Sequence, residues 1–234
     1  MSAPVLELTD VSREYRGLRP LRIERLAIGA GEHVAILGLD QVTAEVFVNL
    51  VTGATVPDRG EVKIFGRPTS EIADSADWLA LVDRFGIVSE RAVLLDGLTV
   101  IQNLSMPFSL EIEPPRDEVR VRAEALAREA ELPEAAWGRP LGELDHTARM
   151  RVRLGRALAL DPAIVLLEHP TAEVPRAEAA PMGRHMRAIA ARRGIAIVAA
   201  TADDEFADAV ATRVLTLDAA TGRLAEKRGW FRRR

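Results

Sequence analysis

The chain has 234 residues, 48% hydrophobic and 28% charged, with a formal net charge of −4 and no cysteine. That length supports one large core, divided at most into a main body and a subdomain. No apolar run approaches the ~20 residues of a membrane span, the missing cysteines exclude disulfides and thiolate metal sites, and the acidic balance argues against general nucleic-acid binding.

The opening residues, MSAPVLELTD, have no basic stretch leading into an apolar core, so no secretory leader is expected and a cytoplasmic chain is. Val5 to Val11 alternates apolar and polar residues, and Leu21 to Ile28 does so again before Gly29 to Gly31 turn the chain. These two stretches predict an antiparallel edge sheet. Val34 to Leu37 is an unbroken apolar run, as a strand buried on both faces requires, and Gly38 permits a sharp turn after it. From about Thr43 the apolar residues Val46, Phe47, Leu50 and Val51 fall at helical spacing, with Gly53 placed to end the helix.

Strand, turn and helix in this order form the framework of a phosphate-binding loop, but the loop's chemistry is missing. The pattern G-x-x-x-x-G-K-[ST] uses glycines to converge backbone N–H groups on an anion, a Lys for phosphate and a hydroxyl for Mg²⁺. Here Gly38 is followed by Leu39, Asp40, Gln41 and Val42. Thr43 then stands where the second Gly belongs, Ala44 where the Lys belongs and Glu45 where the Ser/Thr belongs, with Val46 next. A carboxylate on Glu45 would occupy the helix N-terminus in place of phosphate.

Pro57-Asp58-Arg59-Gly60 is a turn signal ahead of a strand from Glu61 to Phe65, and Phe85 to Ser89 predicts another short strand. Between Glu90 and Leu144 the character changes. Pro107, Pro114 and Pro115 interrupt it, and Asp117 to Glu131 predicts a charged, Ala-rich helix with Val121, Leu126 and Ala130 toward one side. Thr147 to Leu160 predicts a helix stopped by Asp161-Pro162. Ile164 to Leu167 and Ile195 to Ala200 are further wholly apolar runs, separated by a helix from about Ala177 to Arg192, and Val214 to Leu217 is a last strand. Buried strands separated by helices indicate an α/β fold with a mostly parallel sheet flanked by helices. The tail from Lys227 to Arg234 is basic with two aromatics. It reads either as a solvated terminus or as a contact with an anionic membrane surface.

In the order of its elements the chain resembles, over nearly its whole length, the nucleotide-binding domain of ABC transporters. The resemblance rests on Tyr15, where the family stacks an aromatic on adenine, on Gly31-Glu32 before the central strand, and on Gly38 to Gly53 without insertion. Pro57-x-x-Gly60-Glu61-Val62, Leu98-Thr99-Val100 with Asn103, Arg156-Ala157-Leu158-x-x-Asp161-Pro162 and Pro170-Thr171 complete it. It implies a P-loop NTPase (RecA-like) body, residues 1–89 and 154–234, with an antiparallel edge sheet, and a helical subdomain, residues 90–153. It also implies an ABC-type dimer sharing ATP and Mg²⁺, transmembrane permease partners, and a place at the inner face of the cell membrane.

The departures from the family pattern cluster at catalytic positions. The LSGGQ signature falls on Leu144-Asp145-His146-Thr147-Ala148, of which Leu144 alone agrees, and Asp145 reads as the cap of the following helix. The acidic pair is Glu168-His169 in place of Asp-Glu; the Q-loop position is Glu90; the switch His falls on Ala202; the D-loop is Ala172-Glu173-Val174-Pro175. His33 and His185 have no partner legible in the sequence and read as structural. No catalytic set or metal site is expected to be intact. The sequence therefore points to a degenerate, non-hydrolysing subunit that pairs with a competent ATPase and a permease. The alternatives are a weakly active transporter ATPase and a soluble interaction module without a transport role.

Overall fold

In the computed structural model, which describes residues 4–227, the chain opens with the antiparallel pair β1 (Leu6–Arg13) and β2 (Leu21–Ile28). The alternation of apolar and polar residues gives each strand one buried face, with Leu6, Leu8, Val11, Ile23, Leu26 and Ile28 turned inward. β3 (His33–Leu37) follows, then α1 (Gln41–Val51) and β4 (Arg59–Ile64). β4 includes residues read from the sequence as a turn. Gly60 lies inside it at φ +79, against the Asp10 backbone where the β1–β4 register shifts. The turn residue serves as a bulge.

After β5 (Arg67–Pro68) come α2 (Ser75–Val82), β6 (Phe85–Val88), α3 (Val100–Ser105), α4 (Asp117–Glu129) and α5 (His146–Leu158). β7 (Ile164–Glu168), α6 (Arg176–Arg193), β8 (Ala196–Ala200), α7 (Asp204–Val210), β9 (Arg213–Asp218) and β10 (Arg223–Glu226) complete the chain. Two sheets result. One is antiparallel in the order β2-β1-β4-β5; the other runs β10-β9-β3-β8-β7-β6, parallel except for the edge strand β10. α1 lies between them, burying Ala44, Phe47, Val48, Leu50 and Val51, and α3 to α7 cover the other face of the parallel sheet.

Two expectations are corrected here. Val121 is 61% exposed; the stripe that α4 buries is Val119, Ala123, Leu126 and Ala127, continued by Ala130, at helical spacing. The stripe is carried by alanines, which a reading of large apolar residues overlooks. His185 is not without partners: its ring nitrogens lie 2.8 Å from the Glu129 carbonyl and 3.0 Å from a Glu131 carboxylate oxygen. His33 is structural as expected, with its ring 3.3 Å from the Ile195 carbonyl and burial lowering its pKa. The basic tail beyond Lys227 lies outside the described residues.

A candidate nucleotide site filled by its own side chains

The turn after β3 is made by Gly38 at φ +91, and a side chain there would press on the Leu217 carbonyl. Leu39 then drops into the core at 2% exposure, and Asp40 caps α1. Asp40 Oδ1 accepts the Thr43 N–H at 2.8 Å and the Thr43 hydroxyl at 2.6 Å. These hydrogen bonds, the hydroxyl's first, hold the Asp40 carboxyl below its ordinary pKa, with His169 adding a smaller pull.

This corrects the sequence reading in two respects. The helix starts at Gln41 rather than near Thr43, because an extended residue with a carboxylate at the cap position begins it early. The anion at the helix N-terminus is Asp40 and not Glu45, which lies in the second turn and points to Arg91. Ala44, at the family's Lys position, is fully buried, and its side chain can donate nothing.

Beside α1, Glu168 ends β7 with 3% exposure. The guanidinium of Arg91 meets it through Nε and Nη2 at 3.1 and 2.6 Å, and through Nη1 reaches Glu45 at 3.1 Å. Its hydrogen bond to Glu168 raises the Arg91 pKa further. Arg91 was not singled out in the sequence. His169 stands at φ +44 with its backbone N–H on the Ala200 carbonyl at 2.9 Å, and its Nε2 is buried with no hydrogen-bond partner. Glu90 also keeps one carboxylate oxygen buried and unpartnered. Ala202 exposes its methyl between Thr201 and Asp203, and Asp203 caps α7 through the Phe206 N–H at 2.9 Å. Among the described residues no group of three or more His, Asp or Glu could hold a metal ion.

Tyr15 is half-buried beside the same turn. Its ring packs against Gly17, and burial followed by the Asp40 charge raises the pKa of its hydroxyl. At the signature position Leu144 packs on the core, and Asp145 caps α5 by accepting the Ala148 N–H at 2.8 Å, as its place before the helix suggested. His146 sits 3.0 Å from Glu173 of the D-loop position, and Thr147 is buried at 8% exposure. The N-termini of α1 and α5 are thus each closed by an aspartate of this chain.

The sequence model for the ABC transporter family matches residues 21–172. The lipoprotein-releasing system ATP-binding protein LolD of Chromohalobacter salexigens is 32% identical over 95% of this chain and 93% of its own length. The methionine import ATP-binding protein MetN of Brucella abortus is 27% identical over 93% of this chain, which spans 58% of that protein. Among solved structures, a bacterial ABC transporter cassette determined as a dimer covers 96% of the chain with a TM-score of 0.77 at 24% identity, a likeness of fold. With well over half of the residues inside the family model and a relative aligned almost end to end, this chain belongs to the ABC transporter ATP-binding family.

Proposed function

We propose that the chain is an ABC-type subunit that does not hydrolyse ATP at its own site, and that it pairs with a competent ATP-binding chain and with membrane permease subunits at the inner face of the membrane. The observation that carries this reading is the Asp40 carboxylate on the N-terminus of α1, hydrogen-bonded where a phosphate would need those donors. Magnesium nucleotide does not fit the residues present. Ala44 offers no charge for phosphate, Ala202 no hydrogen bond, and the Glu45 and Glu168 carboxylates are already taken by Arg91. Losing electrostatic clamps on a transferring phosphoryl costs several kcal/mol each, and several are missing together.

The transporter setting is supported by the relatives, which are named for lipoprotein release and methionine import, and by a neighbour of like fold described as part of an ABC transporter complex. Among the described residues no helix is long and apolar enough to cross a membrane, so attachment through partner subunits is the consistent arrangement. In this reading residues 90–153 form the helical subdomain, residues 1–89 and 154–234 the body, and Tyr15 and residues 38–46 are the remnant of the nucleotide site. The test is phosphate release from Mg-ATP by the purified chain. No turnover above a protein-free blank is expected; turnover that disappears in Glu168→Gln would overturn the reading.

A further inference from the structure

Two elements distant in the chain, α1 and β7, meet at Arg91. Its backbone is set by a turn in which its own N–H donates to the Ser89 hydroxyl at 3.1 Å and the Ala92 N–H to the Ser89 carbonyl at 3.1 Å. The segment beyond is fixed by Arg156, which donates to the Val93 carbonyl at 2.6 Å, and by Asn103, whose side chain bonds Leu95 N and O at 3.0 Å each. Held at both ends, the loop directs the Arg91 side chain between α1 and the end of β7. One edge of the guanidinium forks onto Glu168 and another donor reaches Glu45.

The two carboxylates differ in how much they need that cation. Glu45 is partly solvated, with 44% of its side chain exposed, whereas Glu168 is 3% exposed. A buried carboxylate without a counter-charge is strongly disfavoured, and the guanidinium is the counter-charge that Glu168 meets at the end of a core strand. The resemblance to ABC nucleotide-binding domains implies Mg²⁺ at such a site. Here the positive charge is covalently part of the chain.

We propose that Arg91 is the resident cation of this cleft: its guanidinium takes the electrostatic place of a divalent metal between Glu45 and Glu168, denies both carboxylates to metal, and straps the 89–95 loop to α1 and β7 without any ligand. The proposal deepens the reading of an inactive site. It assigns a role to a residue and not to a bound group.

The experiment uses the whole chain with Mn²⁺ alone, no nucleotide, read by the loss of free-ion paramagnetic resonance signal, together with hydrogen exchange of residues 89–95. The wild type is expected to leave the Mn²⁺ signal unchanged, and Arg91→Ala to take up one ion per chain, an uptake abolished by adding Glu168→Gln. Amides of residues 89–95 should exchange at least tenfold faster in Arg91→Ala. Should Arg91→Ala fail to fold, Glu45→Gln, which opens only the solvated arm, is expected to speed the same amides severalfold while keeping the fold. Mn²⁺ uptake by the wild type, no uptake by a folded Arg91→Ala chain, or unchanged exchange in the variants would overturn the proposal. None of these readouts depends on hydrolysis, so they fail separately from the phosphate-release test.

Discussion

Asp40 Oδ1 accepts two hydrogen bonds from one residue, Thr43, whose N–H and hydroxyl lie 2.8 and 2.6 Å away. This pair decides where α1 begins and what its N-terminal donors can hold. A glycine-rich turn at this point leaves the donors free for an anion from solution; an aspartate supplies the anion itself.

Asp40→Ala is therefore expected to lower stability by about 1 kcal/mol, within the range for a lost helix cap, and Asp40→Asn by less. The carboxyl is held below its ordinary pKa, so its contribution is present above the unfolded value near 4 and fades as pH falls through the lower folded value. Urea unfolding of the wild type and Asp40→Asn should diverge at pH 7 and converge below about pH 4. A gap that widens on acidification would contradict the assignment.

Arg153 is buried to 9% exposure on α5, its Nε has no hydrogen-bond partner, and burial lowers its pKa. The desolvation of that guanidinium is poorly compensated, so Arg153→Met, similar in length and apolar, should stabilise the chain by about 1 kcal/mol or leave it unchanged. A clear fall in melting temperature would mean that the charges of Glu90, Glu173 and Asp96 nearby compensate the burial of Arg153.

On α4, Leu126→Ala should cost about 2–5 kcal/mol, because it opens a cavity in the core beneath the helix. Val121→Lys, on the exposed side, should stay within about 0.5 kcal/mol. Denaturant midpoints of the two variants check the face directly.

The strands of the parallel sheet were legible because β3, β7 and β8 are buried on both faces and read as continuous apolar runs. The antiparallel sheet was legible from alternation. α2 was missed because it buries no residue fully, though Asp74, which caps it through the Ala76 and Asp77 N–H groups, was a usable signal. β5 and β10 are short edge strands with little apolar pattern. In the site, counting along a phosphate-loop template carried the loop as far as Thr43 and hid the cap at Asp40, which a search for capping residues would have found. Arg91 gave no local signal at all. Its partners lie 46 and 77 residues away, and a charge pair of that span exists only once the sheet is assembled.

The central claim, that the chain's own carboxylate holds the phosphate position, is tested most directly by titrating a fluorescent ATP analogue with Mg²⁺ into three proteins side by side. The wild type and Ala44→Lys with Glu45→Ser are both expected to show no saturable binding, the second because Asp40 still caps α1. Adding Asp40→Gly, which costs only a few tenths of a kcal/mol as a cap, together with Arg91→Ala, which frees Glu168, should produce binding. Saturable binding by the wild type, or full binding with Asp40 still in place, would contradict the account.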